Sequence, residues 1–311
     1  MKKPNLFLVG QPKSGTTALH GFLGQHPDIY MSEVKAPYFF CKDFHQESDR
    51  YHGRRLFFDI RNLETYLNLF TKAGSEKIVG ESSDHALYSE VVADEIHQFN
   101  PDAKIIILLR EPVDFLYSLH GQYVRLTYEH EADFVSALAL EPLRRQHQQI
   151  SSRVMCPSFL YYSQRVHYYE QVKRFYDKFR PENIKIMLYE DFRADNDRSY
   201  REILSFLGVD ANFSAQYKSV NVGKDIRFKH LNYLLNHQVL KNAVRQAISP
   251  KLYDLLIEKV VANLLWQQSS QQLSPETKRQ LMPKFRAEVL KISQLTGIDL
   301  EQRWGYDRSG Y

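Results

Sequence analysis

Leu6-Phe7-Leu8-Val9-Gly10-Gln11-Pro12-Lys13-Ser14-Gly15-Thr16-Thr17 is the stretch on which the reading of this chain turns. Four apolar residues run without interruption into Gly10, the pattern of a strand covered on both faces. Gly, Pro and Ser then break the run, and from residue 16 to about 25 the chain reads as a helix that His26-Pro27-Asp28 ends. Outward from this unit, short apolar runs alternate with longer amphipathic stretches, as strands and helices do in a parallel-sheet protein. Further strands are predicted at residues 29–31, 78–80, 104–109 and 184–188, and the uninterrupted Ile-Ile-Ile-Leu-Leu of 105–109 points to a central position. Helices are predicted over residues 89–99, from Pro112 to about 128, over 134–149 and 161–179, and up to Leu207-Gly208. From about residue 229 the pattern is mostly helical, with Trp304 set to pack it down. No linker or repeat breaks the order. Residues 1–311 are therefore expected to form one α/β domain, a central parallel sheet flanked by helices with a helical C-terminal extension.

Composition agrees with a globular protein. In 311 residues, 41 Lys and Arg face 37 Asp and Glu for a net charge of +4, with 43% hydrophobic and 25% charged residues. Disordered, collagen-like and disulfide-scaffold classes are excluded. Cys41 and Cys156 are too few and too far apart for a zinc ribbon or a disulfide framework, so free thiols in a reducing, cytoplasmic setting are expected. The apolar run at residues 6–9 is too short for a signal peptide, and residues 105–109 fall far short of the roughly 20 residues of a membrane span. The charge is too diffuse for a nucleic-acid footprint, and the pairs Arg54-Arg55 and Arg144-Arg145 read as solvated surface. Oligomeric state is not legible, because sequence does not display the exposed faces.

Two constellations carry chemistry. Gly10 to Thr17 has the outer G-x-x-x-x-G spacing of a P-loop, but Thr16 stands where the nucleotide-hydrolysing loop has its Lys. The lysine has moved to position 13, from which it can reach over an anion cradled by the helix N-terminus and by Ser14, Gly15, Thr16 and Thr17. A tight strand-to-helix turn with surface Lys and Thr is the plain alternative. In the second constellation Arg110 leaves a strand at its C-terminal edge, where open α/β sheets bind ligands, and Ser118 follows eight positions later on a helix. An Arg fork and a hydroxyl suit a second phosphate. An Arg capping strand ends and a Ser facing a neighbouring helix would look the same.

Pro12-Lys13-Ser14-Gly15-Thr16-Thr17-Ala18-Leu19 resembles the 5′-phosphosulfate loop of sulfotransferases that use 3′-phosphoadenosine 5′-phosphosulfate (PAPS). Leu108-Leu109-Arg110-Glu111-Pro112 with Tyr117-Ser118 is similar to that family's 3′-phosphate motif. Supporting likeness runs through Gln25 to Met31, Gly80-Glu81-Ser82-Ser83, Tyr189-Glu190-Asp191-Phe192, Phe206-Leu207-Gly208-Val209 and Asn221 to Arg227, so it covers most of the chain. Soluble bacterial members and heparan-sulfate-type catalytic domains are the nearest in pattern. The resemblance implies a P-loop-like fold and in-line transfer of a sulfuryl group from PAPS to a hydroxyl, less readily an amine, of a small-molecule or glycan acceptor. It implies release of 3′-phosphoadenosine 5′-phosphate (PAP), with Lys13 stabilising the departing 5′-phosphate and no metal required. It also implies that Lys224 and Arg227, in a loop closing over the donor, touch phosphate. A surface turn is the alternative there.

The chain departs from its relatives where a base is expected. Lys35-Ala36-Pro37-Tyr38-Phe39-Phe40 has Ala36 in place of a Glu, and Ser82 falls where heparan-sulfate-type enzymes have a Lys. His85 is then the first choice for the proton acceptor, since its ordinary pKa lies near 6.5; Glu81 and Glu33 are the alternatives. Each of the three also has a purely structural reading. The tyrosines at 161, 162, 168 and 169 are assigned to the core rather than the cleft. A P-loop nucleoside or sugar kinase would need Lys at 16 and a carboxylate at the end of the central strand, and an inactive nucleotide-binding protein is a third reading. The modest charge favours a metabolite or lipid-linked acceptor over an extended polyanionic polysaccharide.

Overall fold

The computed structural model describes residues 2–217, 224–226, 266–268 and 273–307. Its strands in chain order are β1 (Leu6–Gly10), β2 (Ile29–Met31), β3 (Ile78–Ser82), β4 (Lys104–Leu109) and β5 (Ile184–Leu188). They form one sheet in the order β2-β3-β1-β4-β5, with every neighbouring pair parallel. All five predicted strands are present, β3 running two residues longer than expected. β4 lies inside the sheet, with Ile105 to Leu109 paired to Ile184 to Leu188 on one side and β1 on the other. Burial on both faces explains why its sequence is a continuous apolar run rather than an alternation.

The period of two splits the core. Phe7, Val9, Val79, Ile105, Ile107 and Leu109 belong to one cluster, while Leu6, Leu8, Ile78, Ile106 and Leu108 belong to the other. α1 (Thr16–Leu23) covers the second face through Leu19, Phe22 and Leu23. On the first face pack α2 (Lys42–His52), α3 (Leu63–Asn68), α4 (Val92–Phe99), α5 (Pro112–Arg125) and α6 (Phe134–Ala139). α7 (Glu141–Arg144) and α8 (Tyr162–Arg165) follow, and α9 (Tyr168–Tyr176) adds Val172 and Phe175 to that same face. α10 (Tyr189–Ala194) and α11 (Asn196–Leu207) return to the second. Cutting a fully buried core isoleucine such as Ile106 to Ala would cost about 2–5 kcal/mol.

Several helices differ from expectation for local reasons. The stretch 134–149 gives two short helices, since Pro142 begins a new one, and 161–179 breaks at Val166-His167. The helix expected from 89 starts at Val92, and the run up to Gly208 is two helices, the second capped at Asp195 and closed by Gly208 at φ 67°. α2 and α3 had no clear signal. Arg144, read as surface, is fully buried and donates to both carboxylate oxygens of Glu129, at 2.8 and 2.7 Å, beneath the hydroxyl of Tyr162. Tyr162 and Tyr168 are fully buried, in line with the core reading.

Beyond the sheet, Lys224–Ile226 (β6) pairs antiparallel with Trp266–Gln268 (β7). The C-terminal part is helical where described: α12 (Pro275–Leu281), α13 (Arg286–Thr296) and α14 (Leu300–Trp304), with α13 packed on α9. Most of the extension predicted from 229, and Arg227, lie outside the described residues.

Candidate active site

The loop between β1 and α1 is held from several directions. Gln11 donates through its side chain to Gln171 of α9 at 2.8 Å, and Lys13 takes a left-handed φ of 64°. Gly15 has φ 89°, and a Cβ there would lie 2.9 Å from the Phe192 ring, so only glycine fits this position. The loop then hands over to the first turn of α1, whose leading N–H groups have no partner within the helix. Ser14 and Thr16 are buried, and Thr17 is partly exposed.

Arg110 follows β4. Its Nη1 donates to the carbonyl of Lys13 at 3.0 Å, its guanidinium lies over the Tyr189 ring at 4.5 Å, and its own carbonyl accepts from the Tyr168 hydroxyl at 3.0 Å. The two constellations singled out in the sequence are thus joined directly. Ser118 is half-buried on α5, one heptad before Arg125 and so on the same helical face. Arg125 acts electrostatically on Lys13. Burial, then the charges of Arg125 and Arg110, pull the Lys13 ammonium down to about 8, with Asp84 opposing and Lys35 adding to the fall. Among the described groups acting on Lys13, three cations outweigh one carboxylate.

Across from this loop lie the ends of β2 and β3. Lys35 Nζ is 3.6 Å from Asp84 Oδ2, and the Tyr38 hydroxyl donates to Asp84 Oδ1 at 2.6 Å. Ala36 and Tyr38 both hold left-handed φ values, 59° and 51°, while their N–H groups donate to the Ser82 carbonyl and the Ser83 hydroxyl. Such strain persists only where surroundings over-determine it. Burial works against ionising Asp84, but the charges of Lys35 and Arg165 and the hydrogen bond from the Tyr38 hydroxyl oppose it, and the carboxyl is held below its ordinary range.

The groups offered as a base sit differently from one another. His85 is 6% exposed and stacked on Phe159 at 4.5 Å, and its Nδ1 lies 3.0 Å from Nη2 of Arg165. Arginine has only donors, so Nδ1 accepts and the ring proton belongs on Nε2. Burial, then Arg165, pull His85 down to about 3, so it is neutral at pH 7. Glu81 is buried on the Phe7 side of the sheet, accepts from the Ser83 hydroxyl at 2.9 Å, and is pushed up to about 8 by burial. Glu33 is exposed and pairs with Lys72 at 2.7 Å. Ser82 Oγ is 2.8 Å from Nδ1 of His20, which burial and then Lys35 draw down to about 4.

Lys224, expected in a loop, lies in β6, which packs against α5, the helix that carries Ser118. Among the described residues no three His, Cys, Asp or Glu side chains cluster as a metal site, and no helix is long and apolar enough to cross a membrane. Asp84, Lys35, Tyr38, Arg125 and Tyr189 were not anticipated. Tyr189 and Arg125 had a usable signal, one following a strand at the same sheet edge as Arg110 and the other spaced by seven from Ser118.

The sulfotransferase domain family matches residues 3–254. Carbohydrate sulfotransferase 15 of Mus musculus is 29% identical over 153 residues, 37% of this chain and 26% of that protein. The chain therefore spans only about a quarter of the length of that curated relative. A sulfotransferase from Alicyclobacillus acidocaldarius superposes with a TM-score of 0.70 at 26% identity, over 98% of this chain and 100% of that one. A mouse sulfotransferase complexed with PAP shares the fold, with a TM-score of 0.50 at 15% identity over 98% and 90%. Matched over most of its length, and carrying its Lys13 loop and Arg110 at adjoining strand ends of the same kind of sheet, the chain belongs to the sulfotransferase domain family.

Proposed function

We propose that the protein transfers a sulfuryl group from PAPS to a hydroxyl, less readily an amine, of a small-molecule or glycan acceptor. The observation that carries this is the bond from Arg110 to the carbonyl of Lys13, which ties a guanidinium for one phosphate to the loop that holds another. In this reading Ser14, Gly15, Thr16 and Thr17 cradle the 5′-phosphosulfate, and Arg110 and Ser118 take the 3′-phosphate. Lys224, in β6, and Arg227 are the further candidates for a phosphate contact. The mouse structure with PAP supports the donor class, and the name of carbohydrate sulfotransferase 15 supports a glycan among the acceptors. The free, buried thiols of Cys41 and Cys156 fit a cytoplasmic protein.

The acceptor oxygen attacks sulfur as the bond from sulfur to the bridging oxygen breaks, and the electron pair stays on the 5′-phosphate of PAP. Lys13 stabilises that charge. The acceptor proton passes to Asp84, whose carboxylate is ionised and faces Lys35 and the Tyr38 hydroxyl at the same mouth. His85, with Nδ1 engaged, then orients Arg165 behind it. Thr16 and Arg110 occupy the positions where a kinase needs Lys and a metal-binding carboxylate, which disfavours that alternative.

Calorimetric titration with PAP, ADP and ATP tests the donor assignment. PAP should bind best, and Arg110→Ala should weaken it by about 10- to 100-fold while leaving ADP nearly unchanged, the scale of a charged hydrogen bond. Equal or tighter binding of ATP would bring the kinase forward.

A further inference from the structure

We propose that Tyr306 and Trp304 are positioning residues for the 3′-phosphate site, acting through Glu111 and Glu190 on Arg110. The inference rests on reading Arg110 as the 3′-phosphate ligand. Arg110 is fixed through its neighbours: the N–H of Glu111 donates to Glu190 Oε1 at 3.1 Å, and Glu190 adjoins Tyr189, the ring beneath the guanidinium. The Glu111 side chain caps α5, accepting from the N–H groups of Val113 at 3.1 Å and Asp114 at 2.8 Å. It thereby sets the start of the helix that carries Ser118.

Both carboxylates are completed from the C-terminal segment. Tyr306 donates its hydroxyl to Glu111 Oε1 at 2.7 Å, and Trp304 donates Nε1–H to Glu190 Oε2 at 3.2 Å. Lys278 adds an ammonium 3.1 Å from Glu111 Oε2 and 2.6 Å from Asp114 Oδ2, and Arg303 pairs with Asp191. Trp304 also meets the ring of Tyr168, whose hydroxyl holds the Arg110 carbonyl. These contacts come from residues beyond position 254, where the family match ends. Glu111 is only 2% exposed, so losing a donor leaves a buried carboxylate short of a partner and relaxes the cap beside Arg110.

The test is calorimetric titration of the full chain with PAP and with ADP, for Tyr306→Phe, Trp304→Phe and the double variant. A Leu300→Ala control loosens the same segment at a fully buried apolar site that donates no hydrogen bond to either carboxylate. Each aromatic variant should weaken PAP about three- to tenfold and the pair more, with ADP nearly unchanged. Leu300→Ala should lower the melting temperature yet preserve the ratio of PAP to ADP affinity. An unchanged ratio in folded Tyr306→Phe and Trp304→Phe, or equal weakening of both ligands, overturns the inference. A wild-type protein that binds PAP no better than ADP overturns the reading of Arg110 itself, and this inference with it.

Discussion

The two sides of the cleft are built on different principles. The side proposed to hold the donor is made of short contiguous pieces: one loop between β1 and α1, and one strand end running into α5. Backbone N–H groups and a single helical turn do most of the work there, so residue spacing alone specifies it. The side proposed to face the acceptor is assembled from side chains that meet across loops far apart in the chain, Lys35 and Tyr38 on one and Asp84 on the other. Chemistry fixed by the backbone tolerates few sequences, whereas chemistry fixed by pairs of side chains can be relocated. In the proposed reading, Asp84 takes the part that the resemblance would give to a Glu at the position of Ala36.

The contrast breaks most sharply at Lys13. Lys13→Ala should lower sulfuryl transfer, read as PAP released from PAPS, by about 100- to 1,000-fold, with the fold intact by circular dichroism. A loss of less than tenfold would mean that the cradle alone carries the leaving group. The acceptor side is sharpened by a pair of substitutions. Asp84→Asn should cost about 100-fold in turnover while PAP affinity stays within about twofold, and should remove the acid limb of the pH–rate profile. Folded His85→Asn should keep that limb; if it alone removes it, the proton goes to His85.

The smallest effect concerns protons. Lys13, drawn down to about 8, loses its proton near that pH in the free protein, and a bound phosphosulfate or phosphate would favour its charged form. Binding PAP at pH 8 should therefore take up about half a proton, and affinity should fall as pH rises through 8. Calorimetry in buffers of different ionisation enthalpy reads this directly. Lys13→Met should abolish the uptake. For stability the sign is opposite: above pH 8 the unfolded chain holds more protons at this lysine than the folded one, so its burial penalty fades as pH rises.

Legibility followed the range of the interactions. The five strands were readable because each is a local apolar run, and Lys13 and Arg110 because each sits at a fixed offset from one. The break at Val166-His167 was not, since the residues on either side suit a helix; there Arg165 packs between Tyr88 and Phe159, a contact the local sequence does not show. Arg144 misled for the same reason. Its partner Glu129 lies in a loop on the other side of α6, and nothing in an Arg-Arg pair shows which member turns inward. Asp84 stood in plain view beside His85, but its two partners lie more than 40 residues upstream and reach it only through left-handed turns at Ala36 and Tyr38.

The all-parallel sheet has one more consequence, for how the protein is made. No two neighbouring strands are joined by a hairpin, so every pairing waits for a long excursion of chain to return. Lys13, Asp84, Arg110 and Tyr189 each follow a different strand, and the cleft comes into being only when the last of those strands docks. A nucleotide that needs all four groups, as proposed, finds its complete site only in the finished fold. It should then stabilise the native state by mass action.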